Sequence, residues 1–179
     1  IPGSGDHAVR HALPGPHRRH YFAARCVPLL PPAAAAAARP ILLEELPGAL
    51  FRRLQQFAVA RFTGEMGDLG LTPIQWSALL TTQQRPGLDQ TALSKEIFID
   101  TSTIAGVLDR LESRGLLERK ASPNDRRVRL LNVTKQGDAL LKKANVVVLD
   151  TQQWLMEPLS SAERRMLMSL MLRVLDRHE

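Results

Sequence analysis

Residues Asp100–Val133 read DTSTIAGVLDRLESRGLLERKASPNDRRVRLLNV, and the first half of this stretch is a helix with two unlike faces. Ile104, Val107, Leu108 and Leu111 recur at i, i+3, i+4 and i+7, the apolar stripe of a helix packed on a core. Ser102, Thr103, Gly106 and Arg110 fall on the other side. Asp100 is placed to cap the helix, so its first turn offers hydroxyls and unpaired backbone N–H groups, the donors that phosphates and base edges accept. Gly115 then ends it. The second half changes period. Two short strand-like runs, Leu116–Lys120 and Val128–Val133, flank Ala-Ser-Pro-Asn-Asp-Arg-Arg, whose Pro, Asn and Asp favour a turn. The pattern predicts a β-hairpin with Arg126 and Arg127 near its tip. A narrow minor groove attracts arginine electrostatically, and a hairpin can deliver it there while the neighbouring helix occupies the major groove.

Upstream of this element, Asp89 can cap a third helix from Gln90 to about Ile97, which would support the Asp100–Arg114 helix as the first half of a helix-turn-helix. Before it, Leu71-Thr72-Pro73-Ile74-Gln75-Trp76 opens a second helix running to about Thr82: Thr72 caps, Pro73 suits the first helical position, and Gln75 completes a capping box. From Glu44 to about Met66, Leu46, Leu50, Leu54, Phe57, Ala58 and Phe62 keep helical spacing and predict a first long helix, with Gly64, Gly67 and Gly70 loosening the chain after it. Downstream, Thr134 opens a long helix through Leu140, Leu141, Val147 and Val148 toward Trp154, ended by Pro158. Ser160 and Glu163 form a capping box for a last helix with Met166, Leu167, Leu170, Met171, Val174 and Leu175 on one stripe.

Taken together, the STIAGVLDRLESRGLLER helix and turn, the Asp-Arg-Arg wing, the Leu-Thr-Pro-Ile-Gln-Trp helix start and the Val133-Thr134-Lys135-Gln136-Gly137 entry into a long helix resemble the MarR family of bacterial winged-helix regulators over roughly residues 45 to 179. The resemblance implies a mostly α fold with a small β-hairpin wing. Residues 71–133 would form the winged helix-turn-helix lobe, and residues 44–70 and 134–179 helices that interlock with a second copy. It further implies a homodimeric repressor on a pseudo-palindromic operator of double-stranded DNA, with its two recognition helices one DNA turn apart. The DNA-facing set would be Thr101, Ser102, Thr103, Arg110, Lys120, Asn124, Arg126 and Arg127.

In MarR relatives a phenolic or aromatic carboxylate binds between the dimer helices and the DNA-binding lobe. On this sequence that crevice would be lined by Phe51, Arg52 and Gln55 of the first helix and by Thr72, Ile74 and Trp76 of the second. An aromatic wall beside a guanidinium suits a planar carboxylate, since arginine pairs it bidentately and an indole covers its face. The same residues have plainer readings: Trp76 as core, Arg52 and Arg53 as solvent-facing. The overall likeness points to the branch that controls aromatic-acid or nicotinate-type catabolism, acting in the bacterial cytoplasm at the nucleoid.

Charge distribution agrees with a nucleic-acid partner. The chain of 179 residues carries a formal net charge of +6. Residues 1–43 hold five Arg against one Asp, while Arg110–Arg129 holds seven basic residues against Glu112, Glu118 and Asp125, so the rest of the body is net negative. Residues 1–43 contain Pro-Gly-Pro, Pro-Pro, six consecutive alanines and four of the five histidines without a sustained apolar period, and read as a flexible basic tail. Its spacings His7/His11 and His17/His20 sit among prolines with no acidic cluster, which disfavours a metal site.

The only cysteine, Cys26, lies in this tail, so the body has no thiol and peroxide sensing is disfavoured unless Cys26 itself docks onto the fold and reacts. The body also has a single histidine, His178, and neither a Gly-rich phosphate loop nor a nucleophile elbow. These gaps disfavour an enzyme, a metal sensor and a bound cofactor. No run of about 18 apolar residues spans a membrane. Two readings stay open beside the repressor: a winged helix gripping an acidic protein, and an activator with no aromatic effector.

Overall fold

The computed structural model describes residues 42–125 and 127–177; the expected tail up to residue 41, with Cys26 and its histidines, and Arg126 and His178 lie outside them. The chain divides into two compact units, Ile1–Leu50 and Phe51–Glu179. In the described part of the first, a 3-10 turn over Leu43–Glu45 leads to Pro47, the first residue of α1 (Pro47–Met66). The helix therefore starts later than Glu44. The ring of Pro47 disfavours the α region at the residue before it, and Leu46 is extended at φ −87°, ψ 121°.

The second unit holds the rest of α1, then α2 (Pro73–Gln84), α3 (Gln90–Glu96), α4 (Thr101–Ser113), the hairpin β1 (Leu117–Ala121) and β2 (Arg129–Val133), α5 (Lys135–Met156) and α6 (Ser161–Leu175). Its helix starts follow the sequence signals. Thr72 and Gln75 exchange both bonds of a capping box, as do Ser160 and Glu163, while Asp89, Asp100 and Thr134 accept from Ala92, Thr103 and Gly137. In the second box the Ser160 hydroxyl, then its backbone N–H, holds the Glu163 carboxyl below the usual range. α2 runs to Gln84 rather than Thr82, and each strand begins one residue later than expected. Leu116 is withheld from the strand because its N–H bonds back to Leu111 O at 2.9 Å, closing α4 through Gly115 at φ 68°.

The core gathers one face from each element. Leu79 of α2, Leu93 of α3, Ile104, Leu108 and Leu111 of α4, Leu117 and Leu131 of the hairpin and Leu141 of α5 are all essentially inaccessible. Burying such side chains contributes roughly 1.5–3 kcal/mol each, which makes this the dominant stabilising term. The hairpin is antiparallel with Leu117 opposite Val133 and Ala121 opposite Arg129. Its outer edge is also held: Leu131 N–H donates to Leu88 O at 2.8 Å and Gly87 N–H to Leu131 O at 3.2 Å, so the α2–α3 loop lies along β2 like a short third strand.

The Thr134-x-x-Gly137 sequence has two physical jobs. Thr134 caps α5 and ties it to the end of α4, its hydroxyl donating to Gly115 O at 2.6 Å and its N–H to Leu116 O at 3.1 Å. Gly137, buried one turn later, lets the helix backbone press on that same strand entry, since a Cβ there would stand 2.0 Å from Leu116 O. α6 contrasts with everything before it. No residue of α6 is buried, and Met166, Met168, Leu170, Leu172, Val174 and Leu175 are all exposed.

Candidate nucleic-acid interface

α4 is held at three places. At its start Asp100 Oδ1 accepts from Thr103 N–H at 2.8 Å and from the Ser102 hydroxyl at 2.5 Å. The Ser102 hydroxyl, then the Thr103 hydroxyl and N–H, keep the Asp100 carboxyl far below the usual range, so it is ionised throughout the neutral region. Near its end Asp109 and Glu112 receive Arg119 of β1, at 2.8 and 2.5 Å, and the Arg119 backbone N–H also reaches Glu112 at 3.3 Å. Partial burial works against the Arg119 charge, but the two carboxylates outweigh it and raise its pKa further. At the C-cap, the Arg114 guanidinium donates to Gly70 O at 2.6 Å and Leu69 O at 3.1 Å, pinning the loop between α1 and α2.

Helix, wing and α1–α2 loop are thus joined by charge-assisted bonds, which hold geometry better than neutral ones. The sequence reading assigns no role to Arg114 or Arg119. A signal for one of them was present: Asp109 and Glu112, three apart on a polar face, share one helix side, and Arg119 follows just past the turn. Nothing local marks Arg114 as reaching back to residues 69 and 70.

Four of the expected DNA-facing residues, Thr101, Ser102, Thr103 and Arg110, lie exposed on α4, opposite the buried stripe. No partner holds the Arg110 guanidinium among the described residues. Ser102 is partly committed, because its proton goes to Asp100, leaving its lone pairs to accept. On the wing, Lys120 is exposed and paired with Glu118 at 2.5 Å. Asn124 and Arg127 sit exposed in the tip, whose backbone is fixed by Asn124 N–H to Ser122 Oγ at 3.3 Å, Arg127 N–H to Asp125 Oδ1 at 2.9 Å and Val128 N–H to Asp125 O at 3.0 Å. Arg126 lies outside the described residues.

The six expected effector residues are not gathered in the same way. Phe51, Arg52 and Gln55 are exposed on α1. Phe62 of that helix meets Trp76 edge-on with ring centroids 6.5 Å apart, and at 1.5 Å per residue Phe51 stands about 16 Å further along the axis. Thr72 is spent on its cap, Ile74 and Trp76 pack against the core, and the indole N–H donates to Asn145 of α5 at 2.8 Å. Trp76 is thus half-buried against the core with a satisfied polar tip.

A shallow depression of about 340 Å³ lies elsewhere, between Thr82, Gln83 and Pro86 of the α2 end and Asn132, Thr134 and Asp138 at the wing base. Gln83 and Lys142 bond the Asp138 carboxylate within that depression, Lys142 lowering its pKa more than Gln83. Among the described residues no cluster of three or more His, Cys, Asp or Glu would hold a metal, and no helix is long and apolar enough to cross a membrane.

A lobe of this shape has known relatives. The family model described as "MarR family" matches residues 69–128. The chain is 30% identical over 125 residues, 70% of its own length and 91% of the relative's, to the transcriptional regulator HosA of Escherichia coli O111:H-. It is similar to the structure titled as the mechanism for regulation of DNA binding of Bordetella bronchiseptica BpsR by 6-hydroxynicotinic acid, at 30% identity and TM-score 0.73, covering 77% of this chain and 99% of that one. It is also similar to the transcriptional repressor CouR bound to a 23-mer DNA duplex, at 32% identity and TM-score 0.70, with 76% and 99% covered. With its capped polar helix, its hairpin wing and these relatives, the chain belongs to the MarR family of winged-helix, DNA-binding transcriptional regulators.

Proposed function

We propose that two copies of this chain form a repressor that α4 and the wing seat on a pseudo-palindromic operator and that a small aromatic carboxylate releases. The observation that carries the DNA half is the pinned α4: its polar face is exposed, and Arg119 fixes the wing beside it so that helix and hairpin approach a duplex as one body. Thr101, Ser102, Thr103 and Arg110 would read the major groove, while Lys120, Asn124, Arg126 and Arg127 meet the flanking backbone and minor groove. Nothing in this mechanism needs a cofactor or a catalytic step.

The second copy is supported by the apolar side chains that one chain leaves in water. α6 buries nothing of its own, and α5 adds exposed Val146, Leu149 and Trp154. Two-fold pairing of residues 44–70 and 134–179 covers such surface and spaces two recognition helices along one face of DNA. The remaining residues 71–133 form the reading lobe.

The effector half rests on the likeness to BpsR, whose DNA binding is regulated by 6-hydroxynicotinic acid, and on the aromatic and cationic side chains of α1. Phe51, Arg52 and Gln55 are exposed on one chain, so the dimer would complete the crevice opposite Thr72, Ile74 and Trp76. Release requires the acid to bind the DNA-incompetent dimer more tightly, since equal affinity for both forms shifts nothing. The test is sedimentation of the free protein, followed by titration of its operator complex with hydroxybenzoates and hydroxynicotinates. A dimer whose complex dissociates with one of them supports the reading. A monomer, or a complex indifferent to the whole panel, would remove the corresponding half.

A further inference from the structure

Phe98 sits where a glycine would serve the fold better. α3 closes with two reversed bonds, Ile99 N–H to Ser94 O at 3.0 Å and Phe98 N–H to Lys95 O at 3.3 Å, the pairing of a Schellman ending. That ending requires a left-handed residue between Ile97 and Ile99, and Phe98 has φ 55°, the only positive φ outside glycine among the described residues. A Cβ makes this conformation costly. Packing does not offset the cost, because Phe98 is 77% exposed whereas Ile97 and Ile99 on either side rest against the core. The ring is thus held out in water by a backbone that disfavours it.

Its place suggests what the ring meets. Phe98 is two residues before the N-cap of α4 and three before Thr101, so its Cα lies no more than about 11 Å from that of Thr101, the first residue of that helix. We propose that Phe98 is a base-reading residue, its ring resting on the 5-methyl group of a thymine at the edge of the major groove that α4 enters. In that groove the thymine methyl is the apolar group among the base edges, and aromatic and methyl-bearing side chains are its partners. The inference rests on the reading of α4 as the DNA-facing helix and adds to it a thymine contact from outside that helix, lost with Phe98 while Thr101 and Thr103 stay in place.

The experiment uses the full chain and its tightest-binding duplex, with thymines replaced one at a time by deoxyuridine, which removes only the methyl group. For the wild type, one such replacement in each half-site lowers affinity by about fourfold per methyl. Phe98→Gly binds the unmodified duplex more weakly by the same factor, ignores the replacement at that position, and melts at a higher temperature than the wild type. Phe98→Leu, which keeps an apolar side chain, retains part of the discrimination.

The assignment is overturned if Phe98→Gly binds as tightly as the wild type, which would leave the ring to a protein surface. It is equally overturned if the variant still distinguishes every thymine from deoxyuridine as the wild type does, or if the wild type distinguishes none, which would place the ring on deoxyribose. A wild type that prefers none of the duplexes to a scrambled one removes the DNA-facing role of α4, and that of Phe98 with it.

Discussion

Replacing Gly137 by alanine tests how the recognition element is fastened to α5. Two effects oppose each other. Alanine favours a helix over glycine by about 1 kcal/mol, which would stabilise a free helix. Here the added Cβ would lie 2.0 Å from Leu116 O and 2.9 Å from both Leu116 C and Val133 Cγ1. The first of these is about an ångström inside any real contact, and the obstacle is backbone, so α5 itself must move away. Moving it strains the bonds from Thr134 to Gly115 and Leu116 that hold the cap.

Overpacking of a rigid site costs about 3 kcal/mol, and loosening the Thr134 cap adds about 1 kcal/mol, so Gly137→Ala is expected to lose about 3 kcal/mol after the helix gain is set against them. For a domain of this size that lowers Tm by about 10 °C. Far-UV circular dichroism melts and urea midpoints would measure it. Gly106 is the internal comparison: it lies in α4 with nothing within 4 Å of a new Cβ, so Gly106→Ala should gain about 0.5–1 kcal/mol. A Gly137→Ala protein as stable as the wild type would refute the close-approach argument.

Three further perturbations address the interface. Arg127→Ala should weaken binding to all duplexes alike and flatten the plot of log affinity against log salt by about 0.9, one phosphate's worth; an unchanged slope in anisotropy titrations would place Arg127 off the DNA. Arg119→Leu leaves Asp109 and Glu112 facing each other and frees the wing, so stability should fall by about 1–2 kcal/mol and operator affinity should drop while helix content is kept; retained affinity would make the clamp irrelevant to docking. The Asp100 carboxyl is held low in the folded chain, so the stability it supplies is present above the unfolded pKa of about 3.9 and is lost as pH falls through the lower folded value. Asp100→Asn should therefore be less stable than the wild type at pH 7 in urea titrations, with the gap narrowing below about pH 4, and an equal gap at pH 3 would contradict the capping role.

The helices, and the starts of α2 to α6, were legible because each rested on local chemistry: a 3.6-residue stripe in α4, and caps at Thr72, Asp89, Asp100, Thr134 and Ser160 that need only residues three positions apart. The hairpin was legible from a change of period and a Pro-Asn-Asp turn. What escaped were features set by distant partners. Arg114 reaches carbonyls 44 and 45 residues away, and the indole of Trp76 finds Asn145. The left-handed turn at Phe98 escaped for the opposite reason, since the residue that occupies it is not one that advertises a positive φ.

The extra backbone hydrogen bonds along β2 from Gly87 and Leu88 were likewise invisible, because a loop pairing with a strand carries no periodicity of its own. The effector residues carry no local signal that would gather them: one chain spreads Phe51, Arg52 and Gln55 along α1 and Thr72, Ile74 and Trp76 along α2.

The most direct test of the central claim, that a pinned α4 and wing read duplex DNA, is fluorescence anisotropy on duplexes tiled across the region upstream of the gene, repeated over a salt series and with Ser102→Ala, Thr103→Ala and Arg127→Ala proteins. The account predicts one preferred duplex, a steep negative salt dependence, loss of preference but not of all binding in the α4 variants, and uniform weakening in the wing variant. Equal affinity for every duplex, unaltered by any of the three substitutions, would contradict it.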